Sequence, residues 1–150
     1  MTNGPTNPAD AVGRDDNRYG ERMIAANELE AWPNPRPERP YLIHEETPEF
    51  TCLCPRSGFP DFATLILDYV PGPSVVELRS LKLYVNAFRD RRISHEAATN
   101  EIAETLVDLL RPRHLRLVAR FTRRGNVETT VTVVYDEQRG WTAELPDAMK

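Results

Sequence analysis

Apolar and polar residues alternate most clearly in the second half of the chain. Phe62-Ala63-Thr64-Leu65-Ile66-Leu67-Asp68-Tyr69-Val70 is β-rich and alternates in part, which predicts a strand with one buried face. Pro71-Gly72-Pro73 ends it, and Val75-Val76-Glu77 reads as a short second strand. Leu81, Tyr84, Val85 and Phe88 then fall on one helical face. Ser94 is placed to cap a second helix whose inner stripe is Ala98, Ile102, Leu106 and Leu109, and Pro112 stops it. Leu115, Leu117, Ala119 and Phe121 alternate with outward Arg116, Arg120 and Thr122. Gly125-Asn126 is a hairpin turn signal, and Val127, Thr129, Val131, Val133 and Tyr135 continue as the partner strand. The predicted order is ββααββ: an α+β fold, a four-stranded antiparallel sheet with two helices on one face. Its open edges and its second face, rich in Val, Thr and Tyr, predict a homo-oligomer.

The first third is different. Six of the 13 prolines fall at or before position 40, and Pro33-Asn34-Pro35-Arg36-Pro37 excludes regular ladders. Residues 1–50 hold five basic and ten acidic side chains, net −5, against a whole-chain net of −4, so residues 51–150 carry +1. The acidity therefore belongs to the leader and says nothing about a ligand. Residues 1–40 are expected to be a largely disordered acidic leader, with the first 18 fully so, and residues 41–150 a single domain. Tyr19–Leu29 has a weak helical pattern, and Tyr41-Leu42-Ile43 is a further strand candidate. The N-terminus has neither a basic n-region nor an apolar core, and no run approaches a membrane span, which predicts a cytoplasmic protein with no membrane partner.

Seven glycines never approach a dinucleotide fingerprint or P-loop spacing, so any nucleotide cofactor must be held another way. The strongest local signal is Cys54, seven residues before Asp61 across a Gly/Pro loop: a thiol nucleophile with an acid to protonate what it attacks. The bland readings are a small buried cysteine and a turn aspartate. Cys52 and Cys54, if extended, share a face and offer a Cys-x-Cys metal site completed by His44 or His95, but no second cysteine pair closes it. Glu96, at a helix start, and Glu77, before the other helix, are each a cap or an acceptor for a guanine-like base edge. Arg111, Arg113, Arg116, Arg120, Arg123 and Arg124 form a run without acids, either a solvated strand face or a phosphate contact. No aromatics interleave with them, so direct nucleic-acid binding is not expected.

Together these segments resemble a known family, the NADPH-dependent nitrile reductases of queuosine biosynthesis (7-cyano-7-deazaguanine reductase, QueF). Phe50-Thr51-Cys52-Leu53-Cys54-Pro55 with Pro60-Asp61-Phe62 is similar to its nucleophile segment, Val76-Glu77-Leu78-Arg79-Ser80-Leu81-Lys82-Leu83-Tyr84 to its signature, and Ser94-His95-Glu96 to its substrate-binding pair. The similarity spans about Pro48 to Tyr135, in matching order. It implies a tunnel fold in which sheets from several subunits close into a barrel, a decamer of two stacked pentamers, and active sites between subunits. Cys54 would add to the nitrile carbon of 7-cyano-7-deazaguanine as a covalent thioimide, with Asp61 the proton donor and two NADPH consumed per aminomethyl product. Glu77, Glu96 and His95 would hold the base, with the Val76 and Leu78 backbone lining the pocket. Arg79, Lys82 and Arg124 would meet the NADPH phosphates, and no metal is implied.

The chain departs from the family at Cys52, where a hydroxyl residue is usual; the extra thiol is either neutral or an oxidative bridge to Cys54. At Phe121-Thr122-Arg123-Arg124-Gly125-Asn126 the family leads one to expect Pro at 123 and Gly at 126. Two other readings stand beside the reductase: a zinc-dependent tunnel-fold cyclohydrolase acting on a purine-like ring, and a non-catalytic RNA-binding oligomer.

Overall fold

The structure, a computed structural model, describes residues 18–150, so the disorder expected for the start of the leader lies outside the described residues. Its main sheet has five antiparallel strands, β2 (Ile43–Leu53), β3 (Pro60–Val70), β5 (His114–Phe121), β6 (Thr130–Asp136) and β7 (Gly140–Thr142), in that spatial order. Two short strands, β1 (Ala31–Pro33) and β4 (Ser74–Val76), pair with each other. Three helices, α1 (Tyr19–Ala25), α2 (Leu78–Asn86) and α3 (His95–Leu110), complete the α+β fold, with a 3₁₀ turn at Ala87–Asp90. No helix among the described residues is long and apolar enough to cross a membrane.

The core follows from the alternation. Leu65, Leu67 and Tyr69 of β3 stand opposite Ala119, Leu117 and Leu115 of β5, all buried, and α3 lays Ala98, Ile102, Leu106 and Leu110 into the same cluster. Phe50, Phe88 and Phe121 close one end, with ring centroids 5.6 and 6.4 Å from Phe50. Ser94 caps α3 by accepting a hydrogen bond from Ala97 N at 3.1 Å. At the other end Arg111 turns left-handed, φ 48°, ahead of Pro112.

The main sheet has five strands, not the four expected, because β7 extends it beyond β6, and a third helix, α1, joins the two expected. The segment 75–77 does not join the main sheet: Val75 and Val76 pair with Trp32 and Ala31, and the place beside β3 belongs to β2. Its polar run from His44 to Glu49 hides the strand, because an edge strand needs only alternate buried residues. Pro48 is tolerated at the register shift between Thr47 and Phe50, where no ladder N–H is required. The last hairpin turns at Gly125-Asn126 as expected, with Arg124 and Val127 exchanging two backbone hydrogen bonds of 3.0 Å around Gly125, φ 57°. The β6 ladder starts only at Thr130, however, and Val127, expected within the strand, is exposed. The arginine run also finds acids from elsewhere: Arg116 pairs with Glu144, and Arg123 with Glu128.

Part of the leader is integral to the fold. Asn34, buried, donates to Gly72 O at 2.8 Å, accepts from Tyr41 Oη at 2.6 Å and from Arg36 N at 2.9 Å, and its own N–H reaches Pro73 O at 2.9 Å. Pro33 ends the β1 ladder opposite Ser74, against the expectation that this run excludes one, and beyond it one amide side chain supplies the partners. This corrects the expectation of loose chain through residue 40. Asn34→Ala should cost about 1–3 kcal/mol in a urea melt, since three polar partners lose their bond. Hydrogen exchange should then quicken at 31–36 and 74–76 with β3 and β5 still protected; unchanged exchange there would show the leader held by other means.

Candidate active site

β2 and β3 form one hairpin, with Cys52 opposite Asp61 and Leu53 opposite Pro60. Cys54 is the first residue past the ladder. Its N–H donates to Phe59 O at 2.8 Å, its carbonyl accepts from Gly58 N at 2.8 Å, and Gly58 takes φ 74°, a conformation that favours glycine. What the sequence presents as a loop before a strand is thus a short turn between two long strands, which fixes the position of the thiol. Cys54 is half-buried, and its pKa is lowered: Ser57 donates from its hydroxyl and its N–H to the sulfur, and the Arg56 N–H adds to this. Ser57 also accepts from Phe59 N at 3.2 Å, which holds its hydroxyl in the turn.

Asp61 is 5 % exposed and engaged on both oxygens. Arg124 Nε donates to Oδ1 at 2.6 Å, and His95 Nε2 lies 3.2 Å from Oδ2. The His95 ring stacks on Phe121 with centroids 3.8 Å apart and planes 10° from parallel, so the imidazole has one orientation. Glu96, next along α3, is exposed and makes no side-chain hydrogen bond or ion pair among the described residues. Cys54, Asp61 and His95 therefore meet at the hairpin: a thiol of lowered pKa, a buried acid and an imidazole touching that acid, with the exposed Glu96 next along α3.

Other expected site residues lie elsewhere. Glu77 caps α2, its two oxygens accepting from Arg79 N at 2.8 Å and Ser80 N at 2.7 Å, and those bonds hold its pKa down. Val76 is buried and donates its N–H to Tyr69 Oη at 3.1 Å, while Leu78 is exposed at the start of α2. Tyr69 and Asp61 are eight residues apart on β3, roughly 27 Å of extended chain, so the two groups of site residues sit at opposite ends of one strand. A cleft of about 790 Å³ between β2 and α2, lined by Phe62, Leu78 and Lys82 among others, runs between these ends without including Cys54 or His95. Arg79 and Lys82 are exposed on α2, whereas Arg124 is committed to Asp61.

Cys52 does not join the chemistry. It is 0 % exposed, in contact with Ile93 O, and burial pushes its thiol up to about 11. Both cysteines are free. The Cys-x-Cys ligand pair fails because the turn at Cys54 breaks the shared face, while His44 is held by Asp68 at 2.6 Å. Among the described residues no group of three or more His, Cys, Asp or Glu side chains is placed to hold a metal.

A family model described as QueF-like protein matches residues 60–140. The chain belongs to the QueF family. Relatives named NADPH-dependent 7-cyano-7-deazaguanine reductase include one from Aquifex aeolicus, 60% identical over 82% of this chain and 95% of its own length. Those from Nitratiruptor sp. and Nitrosospira multiformis are 52% and 58% identical over 80% and 76% of this chain and 94% and 81% of their own lengths. Among solved structures, the archaeosine synthase QueF-Like in its apo form shares the fold, with a TM-score of 0.60 at 22% identity over 67% of this chain and 97% of its own.

Two residues of this QueF-family site escape a reading of the sequence. Ser57 is signalled only by its place in Cys54-Pro55-Arg56-Ser57-Gly58, where a hydroxyl before a glycine suggests a turn and not a thiolate donor. Phe121 reads as core, which it is, and its stacking on His95 needs coordinates. Ser57→Ala should raise the Cys54 pKa, because the hydroxyl stabilises the thiolate. Alkylation by iodoacetamide at pH 7 should slow several-fold and its pH profile move to higher pH; an unmoved profile would remove Ser57 from the account.

Proposed function

We propose that this chain reduces the nitrile of 7-cyano-7-deazaguanine to the aminomethyl group with NADPH, through a covalent thioimide on Cys54. The observation that carries this reading is the hairpin: a thiol of lowered pKa one turn from a buried acid that contacts a fixed imidazole. A nitrile carbon is electrophilic but unactivated, and a thiolate is the side chain best able to add to it. Cys54 Sγ forms the C–S bond, one π pair of the C≡N bond moves to nitrogen, and that nitrogen takes a proton from Asp61. His95 Nε2, beside Oδ2, makes the acid a two-residue relay able to refill it. When the carbon leaves, Cys54 recovers the bonding pair as a thiolate and Ser57 again stabilises it. Glu96 offers its free carboxylate to two parallel N–H groups of the base edge.

The chain also fits the cofactor, because exposed Arg79 and Lys82 make no ion pair among the described residues and suit phosphate oxygens. Bound NADPH supplies hydride, two per product, balanced by two protons. Arg124 is held by Asp61 at 2.6 Å, which takes it from the phosphate role expected for it.

The 27 Å between Asp61 and the Glu77 end of β3 makes a second copy of the chain part of the proposal. Exposed sheet edges at β2 and β7 provide the pairing sites, and a tunnel-fold ring, decameric by resemblance, would bring Val76, Glu77 and Leu78 of one copy to Cys54 of the next. Glu77 would then anchor a pocket wall through its helix cap. The reaction belongs in the cytoplasm, on a free base and not on nucleic acid.

Loss of NADPH absorbance on adding 7-cyano-7-deazaguanine tests the reading, with two cofactors consumed per product. Asp61→Asn should lower that rate at least about 100-fold, the usual scale of a lost general acid. Wild-type rates in that variant would take the proton-donor role from Asp61, and no NADPH consumption by the wild type would overturn the reaction itself.

A further inference from the structure

Arg92 lies at the nucleophile hairpin, and the scheme above does not use its charge. Its backbone is stitched beside the hairpin: Leu53 N donates to Arg91 O at 2.8 Å and Ile93 N to Leu53 O at 3.0 Å, so Arg92 lies alongside the residue before Cys54. Its guanidinium covers Gly58. A Cβ on that glycine would come within 2.9 Å of Nη2, 3.1 Å of Nη1 and 3.2 Å of Cζ, so Gly58 is needed for this contact as well as for its positive φ.

Two arginines close to it are neutralised: Arg91 is held by Glu101 through two bonds of 2.7 and 2.9 Å, and Arg124 by Asp61. Arg92 has no side-chain hydrogen bond or ion pair among the described residues. It is a cation laid across the turn with no anion of its own, and Arg56, exposed in the same turn, is likewise without an ion pair.

Besides the Cys54 thiolate, the proposed reaction brings one anion from outside. The deazaguanine substrate and its nitrile are neutral, whereas the dinucleotide brings phosphates. Its nicotinamide end must reach the carbon held on Cys54, which puts the pyrophosphate, one ribose away, at the rim of this turn. Planar guanidinium groups match phosphate oxygens in pairs. We infer that Arg92, with Arg56, anchors the pyrophosphate of the cofactor beside the nucleophile hairpin. This rests on the reductase reading above and adds to it phosphate ligands carried by the nucleophile hairpin and the segment beside it, besides Arg79 and Lys82 of α2.

The test is isothermal titration of the full-length protein with NADP⁺ and, separately, NAD⁺, beside cofactor-free adduct formation with 7-cyano-7-deazaguanine followed by mass. Arg92→Ala should weaken both dinucleotides by the same factor, about tenfold or more, and lessen the salt dependence of binding, with adduct formation unchanged. Arg92→Lys should recover part of the affinity, which separates lost charge from a disturbed turn. Unchanged dinucleotide affinity in Arg92→Ala, with normal adduct, would overturn the anchor and leave the reductase reading standing. A loss confined to NADP⁺ would overturn the pyrophosphate assignment. Failure of the wild type to form the adduct would instead overturn the reading on which the anchor rests.

Discussion

A buried carboxylate at the root of a hairpin organises this molecule. Asp61 sits where β3 begins, and taking an ionisable group out of water costs several kcal/mol unless partners replace the solvent. The partners come from two distant segments: Arg124 from the turn between β5 and β6, and His95 from the first residue of α3. Satisfying one side chain thus ties three parts of the fold together within reach of Cys54. The cap at Ser94 and the ring of Phe121 then fix His95. The same contacts that offset the burial of Asp61 bring the acid, the imidazole and the free Glu96 to one place.

The other end of β3 is organised by a different carboxylate with a different task. Glu77 spends both oxygens on the first turn of α2, and Tyr69 fixes Val76 from beneath. A helix cap of this kind presents backbone and neighbouring side chains rigidly, which suits a pocket wall better than a moving catalytic group. Glu77 and Asp61 thus stand about a strand-length apart, each beside well-packed core.

The chemistry was more legible in the sequence than the sheet. Cys54, Asp61, His95 and Glu96 stand in short runs whose residue types and order are distinctive; in the structure Asp61 contacts His95 and lies near Cys54, and Glu96 follows His95 in α3. The buried faces of β3, β5 and α3 were readable because both sides of the core impose strict alternation. β2 was not, since an edge strand tolerates a run of polar residues and a proline at its bulge. β1 and β4 are too short to announce a pairing across some forty residues. Asn34 is hidden among prolines that argue for disorder, because a single side chain supplies what the backbone lacks. The commitments of the arginines depend on which acids the fold brings near, and periodicity carries no information on that.

The central claim is that Cys54 is a poised nucleophile for a nitrile before any hydride arrives. Intact-mass measurement of the wild-type chain incubated with 7-cyano-7-deazaguanine alone addresses it most directly. A gain of one substrate mass per chain, absent from Cys54→Ala and retained in Cys52→Ala, is the predicted result. An unchanged wild-type mass, or an adduct that survives Cys54→Ala, would contradict it.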